Sequence, residues 1–114
     1  MKTGEIYLIE LPSADGREQI GARPAIILQD EKYTEMLPTT LIIPLTSQLK
    51  AQRFPATLLI KPNRENGLER ESVVLIFQLR AIDQRRIKDR IGRLKDEEMK
   101  EIYGKMKSLM KIEI

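Results

Sequence analysis

No apolar run in this chain is longer than five residues, and that limit decides most of what it can fold into. The runs Ile6–Ile9, Ala25–Leu28, Leu41–Ile43 and Val73–Phe77 are too short for a buried helix or a membrane span, and rich enough in β-formers for short strands. Turn chemistry separates them, in Pro12-Ser13-Ala14-Asp15-Gly16 and in Pro62-Asn63-Arg64-Glu65-Asn66-Gly67. The pattern predicts five strands, over residues 4–11, 25–29, 39–45, 56–60 and 72–78. A polar loop running on to Pro24 enters the second of them. Pro44 cannot donate to a ladder, so it marks an edge or a bulge beside Thr46.

Beyond Arg80 the period changes. Asp83–Ile87 suits a short helical turn, and a helix is expected from Asp96, with Asp96 as its cap and Glu97 and Glu98 opposing its dipole. Met99, Ile102, Tyr103, Met106, Leu109 and Met110 fall on one side of that helix, a face suited to the core or to a second subunit. At 114 residues the chain is read as one domain, 1–114, mainly β with a C-terminal helix: a small, strongly curved antiparallel barrel with the helix docked on it.

The chain has neither cysteine nor histidine. That removes disulfides, thiol nucleophiles and the usual neutral-pH acid–base residue, and it leaves little with which to build a zinc, haem or iron–sulfur site. No cofactor or metal is expected. Chemistry, if any, must come from carboxylates, hydroxyls and guanidinium groups. Charge is uneven: residues 1–79 carry nine Lys and Arg against ten Asp and Glu, and residues 80–111 carry eleven against six. Such a basic segment is either a solvated surface or a seat for an anionic partner. No signal-peptide core is visible, so a cytoplasmic protein without a membrane association is expected.

Two stretches at strand ends stand out, Glu18-Gln19-Ile20-Gly21-Ala22-Arg23-Pro24 and Pro44-Leu45-Thr46-Ser47-Gln48. Strand ends let a loop be aimed while the sheet holds it still. Arg23 offers a planar fork for two phosphate oxygens, or else locks its own loop to a carboxylate such as Glu18. Thr46 either donates to a ligand or bonds its own backbone, with Ser47 as a second hydroxyl.

The order Gly4-Glu5-Ile6-Tyr7, Glu18-Gln19-x-Gly21-x-Arg23-Pro24, Pro44-Leu45-Thr46-Ser47-Gln48 and Gln78-x-Arg80-x-Ile82-Asp83 resembles the MazF/PemK (Kid) toxins of bacterial toxin–antitoxin pairs, over nearly the whole chain. The resemblance implies an SH3-like barrel related to the gyrase poison CcdB, a homodimer, and metal-independent cleavage of single-stranded RNA, such as mRNA, at short sequences. The products would carry a 2′,3′-cyclic phosphate and a 5′-hydroxyl. The implied partner is an antitoxin whose acidic, disordered tail covers the RNA groove. By position the family's catalytic arginine falls on Arg23, its hydroxyl on Thr46 and its acidic loop position on Glu18. RNA contacts are expected from Gln19, Ser47, Gln48, Lys50, Arg53, Phe77, Gln78, Arg80, Arg85 and Arg86.

One departure concerns Phe77, which stands where many members carry an acidic residue before the glutamine. A phenyl ring there cannot act as acid or base; it either stacks on a nucleotide or fills core. Two other readings remain open from the residues: a CcdB-like barrel that poisons a protein target such as gyrase, and an RNA-binding member without nuclease activity.

Overall fold

One strand, β3 (Thr39–Thr46), holds the sheet together. The other strands are β1 (Glu5–Leu11), β2 (Gly21–Ile27), β4 (Thr57–Ile60), β5 (Ser72–Leu75), β6 (Arg80–Asp83) and β7 (Ile87–Arg93), followed by the helix α1 (Asp96–Met110). The computed structural model describes residues 1–11 and 21–113. All pairings are antiparallel, and the path through the sheet is β4-β5-β3-β2-β1-β7, with β6 also on β3. The two pairings of β3 with β5 and β6 are offset by a 3-10 turn at Ile76–Gln78, which interrupts the chain between those strands.

Alternation along β2 and β3 sorts their side chains onto two faces. Ile26, Ile43 and Leu45 join Ile6, Ile60, Val74, Ile76, Leu94, Met99 and Ile102 in one core. Ala25, Ile27 and Ile42 join Ile9, Leu11 and Ile82 in the other. Each fully buried Ile or Leu contributes about 1.5–3 kcal/mol relative to exposure, so the paired isoleucines at the centre fix which face is which. A slip of one residue would exchange the two cores.

The end strands of the path, β4 and β7, are bridged by the turn after β4. Arg93 donates its amide to the Glu65 carbonyl at 2.8 Å. Asn66 is fully buried and ties that turn together: its Oδ1 accepts from the Asn63 and Leu68 amides, and its Nδ2 donates to the Lys61 carbonyl. Two glycines allow the approach. A Cβ on Gly92 would lie 2.3 Å from the Glu65 oxygen, and one on Gly67, whose φ is +65°, would lie 2.2 Å from the Ile91 oxygen.

Several expectations from the sequence are corrected. Among the described residues there are seven strands rather than five, because the polar stretches Arg80–Asp83 and Ile87–Arg93 both join the sheet. The expected helical turn before β7 is present as a 3-10 turn at Gln84–Arg86. Strand β2 begins at Gly21, so Arg23 and Pro24 lie within it rather than in a loop. Pro44 is an interior residue of the sheet, opposite Ala25 and buried. The helix cap is Lys95, not Asp96: the Lys95 amide donates to Glu98 Oε1 at 2.9 Å, and Asp96 is the first helical residue. The helix stripe divides as well. Met99 and Ile102 are buried and Met106 packs against the core, whereas Tyr103, Leu109 and Met110 are exposed. The turn at residues 12–16 lies outside the described residues.

Two stability predictions follow from these contacts. Gly92→Ala should lose about 3 kcal/mol, because backbone rather than a flexible side chain blocks the new methyl; urea denaturation reads this. Glu5, on β1, accepts from Arg90 Nε of β7 at 2.6 Å and from the Lys2 amide. Burial works to raise its pKa, but the Lys2 amide and the Arg90 guanidinium outweigh that, and the net shift is downward. A depressed folded pKa stabilises above the unfolded value and is lost as pH falls through the folded one. Glu5→Gln should therefore lower stability by about 1 kcal/mol at pH 7, a Tm drop of about 4 °C, and the difference from the wild type should close below the ordinary carboxylate pKa.

Candidate functional site

The site is made by two strands parting. The β2–β3 ladder runs Ile27↔Ile42, Ile26↔Ile43, Ala25↔Pro44 and then stops. Beyond it β2 stays with β1, through Gly21↔Leu11, and β3 stays with β5, through Thr46↔Val73. Proline lacks the amide a ladder needs; Pro44 stands at this last rung and Pro24 one residue beyond it. Carried on by two residues, the register sets Arg23 across from Thr46. Both share the face of Ala25 and Pro44, since residues two apart on a strand point the same way.

The gap between them is a cleft of about 420 Å³. Ala22, Arg23 and Pro24 form one side and Leu45, Thr46 and Ser47 the other. Gly67, Leu68, Glu69, Arg70 and Ser72 close it, with Leu8 and Ile91 at its base. The structure thus brings Arg23, Thr46 and Ser47 together, and it adds Glu69, Arg70 and Ser72, which the sequence reading missed. The charged pair Glu69-Arg70 lies between a turn and a strand with no apolar period to mark it. Only the packing of the 62–67 turn on β7 carries it to the cleft.

Arg23 is half-buried, and its Nε is shielded from solvent with no hydrogen-bond partner among the described residues. A buried guanidinium N–H without an acceptor is costly, so this group is set up to receive an oxygen. Thr46 is buried, and its Oγ1 accepts from the Gln48 amide at 3.2 Å. That bond occupies a lone pair and fixes the hydroxyl while leaving its hydrogen to donate. Ser72 is also buried, and its hydroxyl donates to the Arg70 carbonyl at 3.1 Å, which shapes the wall rather than the ligand side.

Thr46 is shared with a second, smaller cleft of about 200 Å³, lined by Gln48, Lys50, Ala51, Arg53, Phe54, Leu75, Phe77 and Gln78. Five of the residues singled out from sequence meet there: Gln48, Lys50, Arg53, Phe77 and Gln78. Phe54 joins them, unforeseen. Phe77 is 38% exposed, so the core-filling alternative does not describe it.

The other basic candidates sit elsewhere. Asp83 of β6 pairs with Thr39, at the far end of β3 from Thr46, about 23 Å of strand away. Arg85 and Arg86 follow Asp83, so they do not share the cleft. Arg85 forks onto the Asp83 carboxylate, at 2.8 Å for Nη2, and those hydrogen bonds hold the Asp83 pKa down at about 2. Arg80 pairs at Ile42, midway along β3, and lines neither cleft. Glu18 and Gln19 lie outside the described residues. Among the described residues no group of three or more acidic side chains lies close enough to hold a metal ion, and no helix is long and apolar enough to cross a membrane.

Residues 2–110 match the model of the PemK-like, MazF-like toxins of type II toxin–antitoxin systems. The chain is 34% identical over 102 residues to the endoribonuclease EndoA of Bacillus subtilis, covering 90% of this chain and 87% of that one. It superposes on the crystal structure of MazF from Deinococcus radiodurans with a TM-score of 0.81 at 26% identity, over 98% of this chain and 97% of the other. A chain of the MazE–MazF complex from the same organism gives a TM-score of 0.70 at 25% identity, over 98% and 97%.

Thr46→Val keeps the shape of the side chain but strands the Gln48 amide, and should cost about 1 kcal/mol in thermal or denaturant unfolding. Thr46→Ser retains the acceptor, so its cost should be only that of the lost buried methyl, about 0.8 kcal/mol.

Proposed function

This chain belongs to the PemK-like, MazF-like toxins of type II toxin–antitoxin systems and is an endoribonuclease, and we propose that it cuts single-stranded mRNA sequence-specifically, without a metal, at the phosphodiester lying between Arg23 and Thr46. The reaction is an internal transesterification. The 2′-oxygen loses its proton and attacks phosphorus, the bond to the 5′-oxygen breaks, and that oxygen takes up a proton. The products are a 2′,3′-cyclic phosphate and a 5′-hydroxyl.

The observation that carries this reading is the buried Nε of Arg23, without a hydrogen-bond partner among the described residues, on the strand opposite a fixed hydroxyl. A guanidinium supplies two N–H groups to the equatorial oxygens of the phosphorane as their charge grows, and it remains protonated throughout the working pH range. The hydroxyl of Thr46 donates a further hydrogen bond to one of these two non-bridging oxygens. Glu18, three residues before the first residue of β2, takes the proton from the 2′-hydroxyl. Ser47, Lys50, Arg53 and Arg70 steer the RNA backbone along the two joined clefts, and Gln19, Gln48 and Gln78 read base edges.

The partner is an antitoxin with an acidic, disordered tail. Among the described residues the clefts are lined by Arg23, Lys50, Arg53 and Arg70 against the carboxylate of Glu69, so an acidic segment laid along them competes with RNA for the same charges. The protein acts in the cytoplasm as a homodimer.

Purified protein should cut a long single-stranded RNA in EDTA, at sites mapped by primer extension. The new 5′ ends should accept a labelled phosphate directly, as hydroxyls do. Arg23→Ala should lower kcat by about 10²–10³-fold with little change in Tm, the size seen when a preorganised oxyanion donor is removed. Intact RNA at high enzyme concentration, or undiminished cutting by Arg23→Ala, would overturn the reading.

A further inference from the structure

The second cleft holds a feature that the phosphate chemistry does not use. Phe54 follows the 3-10 turn Leu49–Arg53, and Phe77 is the middle residue of the turn Ile76–Gln78. Their ring centroids are 5.5 Å apart and the planes are tilted by 58°. The rings are 44% and 38% exposed. The Arg53 guanidinium lies 5.0 Å from the Phe54 centroid. The whole chain has five aromatic residues, and two of them stand side by side in the wall of a cleft, partly in water. Burying a phenyl ring is worth about 1.5–3 kcal/mol, so a fold this poor in aromatics forgoes core stabilisation by leaving them there.

We propose that Phe54, Phe77 and Arg53 form a stacking seat for one unpaired nucleobase, that of the nucleotide adjoining the phosphate held at Arg23 and Thr46; this rests on the nuclease reading above. The two rings are tilted against each other rather than stacked, so a face is left for a third planar group. The cleft is of a size for one heterocycle rather than a larger ligand. Thr46 forms part of both clefts, so a chain whose phosphate lies at Thr46 places its next base there. Gln48 and Gln78 flank the rings, with amides that match base edges. Lys50 and Arg53 supply positive charge and none of the described lining residues is acidic, which together with the exposed rings favours a nucleotide over a neutral side chain. Phe77 keeps a negative charge out of this lining, where a carboxylate would repel the phosphate backbone. Stacking accepts any base, and purines, with the larger ring system, bind more strongly.

The test uses the full-length protein and the RNA that it cuts. Once the cut is mapped, short RNAs spanning it are made with a 2′-deoxy sugar at the attacking nucleotide, so that they bind without reacting. Each base in turn is replaced by an abasic position. Wild type should lose about tenfold or more in affinity at one position next to the cut, the scale of one stacked base. Phe54→Leu and Phe77→Leu should lose a similar factor on intact RNA and be indifferent to the abasic replacement at that position. Phe77→Tyr should restore both the affinity and the sensitivity. Both rings are exposed, so the Tm of each variant should stay within a few degrees of the wild type. Leucine variants that bind and cut as wild type does, or that keep the full abasic penalty, would overturn the seat while leaving the nuclease reading standing. So would variants that lose only the antitoxin. A wild type that cuts no RNA would instead remove the nuclease reading and the seat with it.

Discussion

The short ladder between β2 and β3 is the constraint from which the rest follows. Three rungs, Ile27↔Ile42 to Ala25↔Pro44, put isoleucines alternately into two cores and so fix the register of both strands. The ladder then ends, because β2 remains committed to β1 and β3 to β5. A sheet that stayed paired at this point would have no opening. One that parted earlier would lose the isoleucine pairs that hold the two halves together. The cleft is therefore a consequence of where backbone pairing stops, and its rim is as rigid as the cores behind it.

That placement bears on the chemistry. Arg23 and Thr46 belong to different strands, yet the register relates them as closely as cross-strand neighbours. Electrostatic stabilisation works best when donors need not reorganise as charge develops. A guanidinium on a strand flanked by buried Ala25 and Ile26, facing a hydroxyl pinned by the Gln48 amide, meets that requirement better than groups on free loops would. Lys50, Arg53 and Phe54, by contrast, occur in and just after a 3-10 turn rather than on a strand.

The sequence was most readable where burial imposed a pattern. The runs around Ile6, Ile26, Ile42 and Val73 announce their strands because both or alternate faces are apolar, and Met99 and Ile102 mark the helix. Strands β6 and β7 were hidden for the opposite reason. β7 reads Ile-Lys-Asp-Arg-Ile-Gly-Arg and lies at one end of the strand path, paired with β1. Charged side chains on such an edge discourage pairing with other molecules, and they also erase the apolar alternation by which a strand is recognised. The basic stretch that looked like one patch is in fact distributed: Arg90 closes on Glu5, Arg85 on Asp83, and neither lines the cleft. Arg23 and Thr46 could be named from their motif, but their juxtaposition depends on register, and Glu69, Arg70 and Phe54 arrive through tertiary packing that no local pattern encodes.

The contact of the 62–67 turn with β7 has a wider consequence. It is backbone against backbone, with Gly67 and Gly92 admitting carbonyl oxygens where other residues have side chains. The far wall of the cleft, Leu68 to Arg70, is hung from that contact. With the Asn66 side chain holding the Leu68 amide and Leu68 buried in the core, its position does not depend on the exposed side chains of Glu69 and Arg70. Substitutions at 69 and 70 can therefore change the charge that the wall presents to the cleft without shifting the wall itself, so this surface can be retuned with no change to the architecture.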